Sequence, residues 1–375
     1  MEYKNINEFT AALEVLSKVK KFIVGAGTYG GILGQYFDKH NIEWEGFVDK
    51  NSDLSSKNGK KVISYQNIRQ EGAYYIISPY LYKQEIFYEL KKQGIPEEKI
   101  IMYGEQDIFY EIYDDLVHWK QYTDRLKEYR GKYEGKRCFI IGNGPSLTLS
   151  DLERLKGEIT FACNSIYAVY EHTFWRPSFH CAWDNIFCKK MMSKKEDMKK
   201  LTSECGAFFT TILGDGFQYR ECEDIGNLFF IKSEQAVSEN TGLPLFSEDC
   251  SKKIYSSGTV AYMMLQLAVY MGFSKIYLLG MDASFSTERF KDGKVVVKRM
   301  INHQNLIEEN DEIFSKSIMQ KYGYTYIADI DLQMEAYQSA QQYADSHKIK
   351  IYNATRGGKL EIFERVDFDS LFNGK

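Results

Sequence analysis

A glycine-rich turn directly after an apolar run is the segment of this chain with the clearest chemistry. Residues 138–141 are apolar, which is typical of a buried parallel strand, and the turn leads to a helix near residue 149. Glycines let a backbone approach a ligand closely and adopt positive φ, and a helix start offers free N–H groups to an anion. The segment therefore predicts a phosphate-binding site. Its residues are Gly142, Asn143, Gly144 and Ser146.

Polar residues also follow three later apolar runs. Strands are predicted at 159–163, 179–183 and 275–279. A single polar residue at a strand end is usually a helix cap, but ligands of open α/β sheets bind beyond the carboxyl ends of strands. Several such ends together predict one crevice. The polar and small residues at these ends are Asn164, Asp184, Gly280 and Asp282.

The start of a buried helix predicted at 260–273 adds hydroxyl groups to this set. Ser257, Gly258 and Thr259 directly precede it. These residues can cap the helix, or they can bind a phosphate with the help of the helix dipole. Both interpretations stay open.

The first hundred residues contain a second glycine-rich turn. A strand is predicted at 21–24, followed by Gly25, Gly27 and Gly30, and Asp49 comes 19 residues after the last of these. This spacing fits the dinucleotide fingerprint and predicts an N-terminal pocket. A tight crossing from strand to helix needs the same glycines without any ligand, so the two interpretations carry equal weight.

The alternation of strands and helices predicts an α/β fold of two Rossmann-like, doubly wound parallel-sheet domains joined by a helical linker. Further elements of the first domain are strands at 44–48, 73–78 and 99–102 and a helix at 83–93. The predicted domains are an N-terminal one at 1–105, a helical linker at 106–133 and a second α/β domain at 134–375.

Composition narrows the class of protein. The chain has 375 residues, 44% of them hydrophobic, which is enough for more than one core, and a net charge of −4 that gives no attraction to nucleic acid. The N-terminus lacks a basic start followed by an apolar stretch, and the apolar stretch at 259–273 is shorter than the roughly 20 residues that span a bilayer. We therefore expect a cytoplasmic protein with reduced cysteines, no nucleic-acid partner and no transmembrane segment. An aromatic content of 15% suits sugar stacking or a homo-oligomer interface.

The order of the motifs resembles two related families over about residues 134–365. One is the bacterial sialyltransferases of glycosyltransferase family 42. The other is the 6-hydroxymethylpterin diphosphokinase MptE-like family, which includes motility-associated flagellin glycosylation factors. The segment at 351–361 looks especially like the second family, and the N-terminal turn resembles the Rossmann-like domain of bacterial surface-glycan enzymes. The motifs that carry the main resemblance lie at 140–147, 163–165, 257–259 and 276–282.

The resemblance implies a glycosyltransferase of bacterial surface-glycan biosynthesis that uses a nucleotide-sugar donor, with a CMP-linked sugar as one candidate, and a glycan or protein acceptor. It implies that Gly142, Asn143 and Ser146 approach the donor phosphate. Asn164 and the segment at 257–259 would contact the same donor, and Gly280 and Asp282 would line its pocket.

Two alternatives remain open. One is an ATP- and Mg-dependent 6-hydroxymethylpterin diphosphokinase, in which Arg356 and Lys359 supply positive charge and Asp184 and Asp282 bind the ion. The other is a non-catalytic assembly protein that binds a nucleotide sugar without turnover.

The general base is the least certain part of the site. The sialyltransferases place a histidine upstream of a Lys-Ile-Lys strand, and the matching strand here, at 348–352, is preceded by aspartates instead. The candidate bases are His303, Asp329 and Asp331. The spacing of Asp329 and Asp331 also suits magnesium or manganese, so metal dependence stays open.

Overall fold

The computed structural model describes residues 1–51, 55–68, 72–79, 82–103, 106–117, 119–192, 194–211, 222–283, 286–289, 295–298 and 330–373. The chain forms two compact units, one built on Met1–Trp119 and the other on Lys120–Ile212 with Cys222–Lys375. This division falls inside the segment at 106–133 for which the sequence predicts a linker. The boundaries of the predicted domains stay a prediction.

The first unit is built on a seven-stranded sheet of order β1-β7-β6-β2-β3-β5-β4, parallel except where β4 meets β5. Its strands are β1 (Glu2–Tyr3), β2 (Lys21–Val24), β3 (Gly46–Asp49), β4 (Ser56–Lys57), β5 (Lys60–Ser64), β6 (Tyr74–Ile77) and β7 (Ile100–Tyr103). Its helices are α1 (Ile6–Val15), α2 (Thr28–Lys39), α3 (Lys83–Lys92) and α4 (Gln106–Val117), with short 3-10 helices at Tyr65–Asn67 and Glu97–Lys99. Because β2 lies between β3 and β6, the strand order reverses beside it, which makes this point a topological switch point.

The second unit is built on an eight-stranded parallel sheet of order β12-β11-β10-β9-β8-β15-β18-β19. Its strands are β8 (Arg137–Ile141), β9 (Thr160–Cys163), β10 (Phe179–Ala182), β11 (Ala207–Thr210), β12 (Leu228–Phe230), β15 (Lys275–Leu279), β18 (Lys350–Asn353) and β19 (Glu364–Arg365). Two small sheets pair β13 (Ser233–Glu234) with β14 (Ile254–Tyr255) and β16 (Ser286–Arg289) with β17 (Val295–Lys298).

The helices of the second unit connect these strands. They are α5 (Trp119–Lys127), whose first residue ends the first unit, α6 (Leu149–Arg154), α7 (Asn185–Met192), α8 (Lys195–Ser203), α9 (Val260–Tyr270) and α10 (Ile330–Ser346). Short 3-10 helices lie at Asn164–His172 and Asp369–Phe372. None of the helices in the described ranges combines the length and the apolar character that crossing a bilayer requires.

The core of the second unit explains its longest apolar stretches. Residues 138–141 of β8 have no exposed surface, as expected for a central strand of a parallel sheet. Helix α9 packs on β8, β9 and β10, and every residue from 261 to 268 is buried. Gln266 is tolerated there because its amide bonds to the backbone of Ser247, Tyr255 and Tyr262. The prediction of an α/β fold with two Rossmann-like, doubly wound parallel sheets is confirmed.

Candidate functional site

The turn after β8 lies against the turn after β15, at the switch point of the second sheet. Ile141 pairs with Leu279 in the register of the two strands, so both strands end at the same level. The Gly142 N–H donates to the Leu279 carbonyl at 2.8 Å, and the Gly144 N–H donates to the Gly280 carbonyl at 2.9 Å. The two turns are thus hydrogen-bonded to each other at the edge where ligands of doubly wound sheets bind.

The glycines of the first turn are required by this close approach. A Cβ at Gly142 would lie 2.5 Å from the Gly280 carbonyl oxygen, and one at Gly144 would lie 1.8 Å from Asp282 Oδ2. Gly280 itself has a φ of +68°, which favours glycine. These glycines therefore allow two strand ends to meet, and their predicted contact with a phosphate stays a prediction.

Asp282 is the acidic group of this junction. Its side chain accepts a hydrogen bond from Ser146 Oγ at 2.8 Å, and the residue is only 8% exposed. Its backbone carbonyl accepts from the Lys359 N–H at 2.7 Å. The hydroxyl proton of Ser146 is therefore used in a hydrogen bond to the Asp282 carboxylate in this structure.

Two asparagines extend the site from β8 to β9. Asn143 Nδ2 donates to the Cys163 carbonyl at 3.1 Å, which leaves the Asn143 Oδ1 atom as the free end of the amide. Asn164, the residue after β9, has a φ of +47°. The Oδ1 atoms of both asparagines are buried and have no hydrogen-bond partner within the part of the chain that the structure describes. Such atoms are costly to bury and are expected to accept a hydrogen bond from a ligand or from water.

The start of α6 is closed by the protein itself. Thr148 and Asp151 form a capping box, with the Asp151 N–H bonded to Thr148 Oγ1 at 3.1 Å and the Thr148 N–H bonded to Asp151 Oδ2 at 3.0 Å. The sequence predicts free N–H groups at this helix start. One of them is already taken by the cap.

The segment before α9 contacts the first turn of α10. Ser257 Oγ donates to the Leu332 carbonyl at 3.2 Å, and Gly258 (φ +55°) packs on Gln333. Thr259 caps α9 by accepting the Ala261 N–H at 3.2 Å. These hydroxyl groups therefore serve the helix start and its neighbour α10.

Tyr337 joins that segment to the turn after β15. Its hydroxyl lies 4.0 Å from Met281 Sδ and is hydrogen-bonded to Thr259, and burial raises its pKa to about 12. A Cβ at Gly142 would in turn lie 2.7 Å from Met281 Sδ. The residues 257–259 and the two glycine turns thus meet around Met281.

The other residues that the sequence assigns to this site lie outside the two glycine turns or outside the described residues. Asp184 follows β10 and accepts the Phe187 N–H at 2.7 Å, so one of its oxygens caps α7. Asp331 is exposed in the first turn of α10, directly before Leu332. His303 and Asp329 lie outside the described residues. In the described ranges, no three His, Cys, Asp or Glu side chains come together as metal ligands would.

The turn after β18 contributes Thr355 and Gly358, to which the sequence assigned no role. Thr355 Oγ1 accepts the Met281 N–H at 3.0 Å, and a Cβ at Gly358 would lie 2.6 Å from the Asp282 carbonyl oxygen.

Arg356, which the diphosphokinase alternative uses as a cation, bonds to both oxygens of Asp151 at 2.8 Å and also to Asp369. The signal in the sequence was the pair Gly357-Gly358, which follows the apolar run of β18 as the glycine turns follow β8 and β15.

Two of the three glycines in the N-terminal turn are in close contact with neighbouring residues of the same unit. Asp49 accepts the Ala26 N–H at 2.6 Å and the Asn51 N–H at 2.9 Å, so both of its oxygens bond to backbone. A Cβ at Gly25 would lie 2.9 Å from the ring of Pro79, and one at Gly30 would lie 1.8 Å from the Gly25 carbonyl oxygen. A Cβ at Gly27 would meet nothing within 4 Å. These contacts account for the glycines at 25 and 30 through the crossing from strand to helix, and they leave a ligand of this pocket a prediction.

Fold and site define a class: an α/β protein with two doubly wound sheets and a candidate site at the switch point of the second one. A family model described as 6-hydroxymethylpterin diphosphokinase MptE-like matches residues 86–288, more than half of the chain. The chain belongs to this MptE-like family, and the predicted membership is confirmed. A second family model, C2185-like, N-terminal, matches residues 17–101.

Two solved structures are similar to the chain. The MAf glycosyltransferase from Magnetospirillum magneticum AMB-1 is 12% identical with a TM-score of 0.37, and the match covers 97% of this chain and 62% of that one. The chain thus spans less than two thirds of that protein's length. RSP, a Rex-family repressor, is 17% identical with a TM-score of 0.22, over 32% of this chain and 68% of the other. No curated protein matches the chain.

Proposed function

We propose that the crevice beyond β8, β9 and β15 binds a nucleotide-activated sugar and that the protein is a glycosyltransferase of bacterial surface-glycan assembly. One observation carries the proposal: Asn143 Oδ1 and Asn164 Oδ1 are buried at neighbouring strand ends without a partner among the described residues. Amide oxygens accept hydrogen bonds, so they fit a ligand rich in hydroxyl groups, such as a ribose or a sugar.

The free energy that a ligand can gain here follows from the cost of burying these two oxygen atoms without a hydrogen bond. An unsatisfied buried acceptor costs about 1–3 kcal/mol, and a ligand hydroxyl that fills it recovers that amount on binding. Asp282, nearly buried beside them, is a third acceptor, since its carboxylate receives one hydrogen bond from Ser146. Three acceptors in one crevice favour the nucleoside and sugar portions of a donor over its phosphate.

The charge of the site supports a donor with a single phosphate link over ATP. A diphosphokinase needs cations around a triphosphate and acids that bind magnesium. Arg356 is instead paired with Asp151 and Asp369, and Asp184 caps a helix with one of its oxygens. A CMP-linked sugar, which needs less positive charge, is our preferred donor.

Transfer also needs a group that takes the proton of the acceptor hydroxyl. We assign this role to Asp331, because it is exposed and its helix contacts Ser257 and Gly258 through the two residues that follow it. Asp331→Asn keeps the size of the side chain. It is expected to lower the turnover rate by about 10²-fold or more and to leave donor affinity unchanged.

Thermal unfolding with CMP, UDP, ADP and ATP, each with and without magnesium, tests the proposal. A ligand at 100 times its Kd stabilises a protein by about 2.7 kcal/mol, which is a shift of several degrees. We expect CMP to raise Tm independently of magnesium, and Asn164→Ala to reduce the rise. Asn227→Ala is the matched control, because Asn227 donates to the Thr202 and Cys205 carbonyls, before β11, and has no contact with the crevice residues.

Other outcomes would replace the proposal. A rise with ATP alone that requires magnesium would favour the diphosphokinase. A rise with a CMP-linked sugar without any transfer or hydrolysis would favour the non-catalytic assembly protein. If no nucleotide raises Tm, the crevice is not a nucleotide site.

A further inference from the structure

The end of β9 is bonded to side chains from both flanking strands. From the β8 side, Asn143 Nδ2 donates to the Cys163 carbonyl at 3.1 Å. From the β10 side, His180 Nε2 lies 2.9 Å from the Asn164 carbonyl oxygen. Two consecutive carbonyls are therefore fixed from opposite sides, at the point where β9 passes into the 3-10 helix Asn164–His172.

The backbone at Asn164 needs such support. Its φ of +47° lies in the left-handed region, which is unfavourable for a residue with a Cβ, although asparagine tolerates it better than most. The φ and ψ of this residue decide where its side chain leaves the backbone. The contact that fixes its carbonyl therefore also constrains the direction in which the side chain with the unpartnered amide oxygen leaves the backbone.

The protonation of His180 follows from its partner. A carbonyl oxygen only accepts, so His180 Nε2 must carry the proton, and Nδ1 then accepts from Tyr170 Oη, 3.5 Å away. The ring has no exposed surface, and this burial lowers its pKa to about 4. It stays neutral at physiological pH, as a donor to Asn164.

The ring is also fixed by packing. It stacks on Phe208 at 4.8 Å between centroids and lies 6.4 Å from Phe187. Both neighbours are aromatic, so a phenylalanine in place of His180 keeps the shape and the stacking and removes the donor to Asn164 together with the acceptor of the Tyr170 hydroxyl.

We propose that His180 is a positioning residue of the crevice, which fixes the left-handed backbone of Asn164 and thereby its amide oxygen. This inference rests on the proposed function for the identity of the ligand, but its effect on the backbone can be measured without one. Nothing in the sequence pattern indicated this role, since His180 lies inside an apolar strand.

Four variants test it with CMP as the probe. His180→Phe removes the hydrogen bond to the Asn164 carbonyl and the longer one from Tyr170, and we expect CMP to bind about five- to tenfold more weakly. His180→Gln, whose amide can donate from a similar place, is expected to restore affinity to within about threefold. In Asn164→Ala, where the amide is already lost, adding His180→Phe is expected to have no further effect.

Thr160→Val is the control for a merely structural effect. Thr160 is fully buried at the opposite end of β9, and its hydroxyl accepts the Ser178 N–H before β10 at 3.2 Å. This variant should lower stability by a similar amount and leave CMP affinity unchanged. If it weakens CMP as much as His180→Phe does, the effect is general loosening and the inference fails.

Hydrogen exchange of the ligand-free protein separates this inference from the proposed function. We expect His180→Phe to speed exchange of peptides covering 164–172, and Thr160→Val to leave them unchanged. Failure of CMP to bind the wild type would overturn the proposed function while this exchange result still decides the role of His180. Unchanged exchange at 164–172 in His180→Phe would overturn the positioning role.

Discussion

Replacing Gly144 by alanine tests the junction between the turns after β8 and β15. The new Cβ would lie 1.8 Å from Asp282 Oδ2 and 2.6 Å from the Gly280 carbonyl oxygen, closer than real Cβ atoms come. The carboxylate must therefore move and give up its 2.8 Å hydrogen bond from Ser146. The backbone must also shift, which weakens the 2.9 Å bond from the Gly144 N–H to Gly280.

The magnitude follows from these two changes. Overpacking costs about 1–3 kcal/mol, and the loss of a hydrogen bond to a charged group costs about 1.5–3 kcal/mol. We expect Gly144→Ala to lower the free energy of unfolding of the second unit by about 3–5 kcal/mol. Because the clash is with Asp282, the cost should fall by about 1 kcal/mol or more when Asp282→Ala is already present.

Urea-dependent hydrogen exchange, read by mass spectrometry on peptides from β8 and β15, measures this free energy for the second unit separately. Gly226→Ala is the control, because a Cβ there meets nothing within 4 Å. It should change stability by no more than about 0.5 kcal/mol. If Gly144→Ala is as stable as this control, or if its cost is the same with and without Asp282, the close packing of the two turns is wrong.

Three further predictions concern charged groups. The pKa of His180 is about 4 in the fold and 6.5 normally, so the free energy of unfolding should fall by up to about 3 kcal/mol as the pH drops through that window. Urea unfolding at several pH values measures this free energy, which should depend less on pH in His180→Phe. Arg356→Met leaves the buried carboxylate of Asp151 without its cation and, because Arg356 itself is exposed, should lower the free energy of unfolding by about 1–2 kcal/mol, measured in urea. Asp49→Ala removes the acceptor of two backbone N–H groups and should destabilise the first unit by about 2 kcal/mol, measured by exchange of peptides from β2.

The sign of the pH effect rests on the state of His180. Between its two pKa values the unfolded chain binds one more proton than the folded one, so stability rises with pH there. The Tyr170 hydroxyl lies 3.5 Å from the ring, and its pKa is raised, chiefly because it is buried, so it does not ionise in this window. If His180→Phe leaves the pH dependence of the free energy of unfolding unchanged, other groups cause the acid sensitivity.

Matched controls separate the other two predictions from general effects. Lys199→Met removes an exposed partner of Glu196 and should change stability by no more than about 0.5 kcal/mol. An Arg356→Met variant as stable as this control would contradict the ion pair of Arg356 with the buried Asp151 carboxylate. An Asp49→Ala variant whose first unit is as stable as the wild type would contradict the role of Asp49 as a support of its turn.

Most of the central strands could be predicted from the sequence, because each is a short apolar run that ends in a glycine or a polar residue. The strands β2, β8, β9, β10 and β15 were all predicted to within two residues of their observed bounds. The strands β11 and β12 were not predicted, although β11 carries the apolar run Ala207–Thr210. The helical stretch predicted at 106–133 is two helices, and α5 ends at Lys127.

The sequence also indicated which residues stand at the strand ends, but not what they contact. Asp184, Ser257 and Thr259 were assigned to a nucleotide, yet Asp184 and Thr259 cap helices, and Ser257 donates to the backbone of α10. A hydroxyl or carboxylate at a helix start suits a cap and an anion site equally well. The sequence alone could not separate these two roles.

The sequence by itself determined the parallel α/β architecture, the glycine turns and the family, because these depend on local periodicity and on residues adjacent in the chain. Only the tertiary structure decided that Gly144 faces Asp282, that Arg356 is paired with Asp151, and that His180 supports Asn164. Each of these pairs joins residues far apart in the chain or on different strands. Their contact exists only once the sheet order and register bring the strand ends to one edge, which no local pattern encodes.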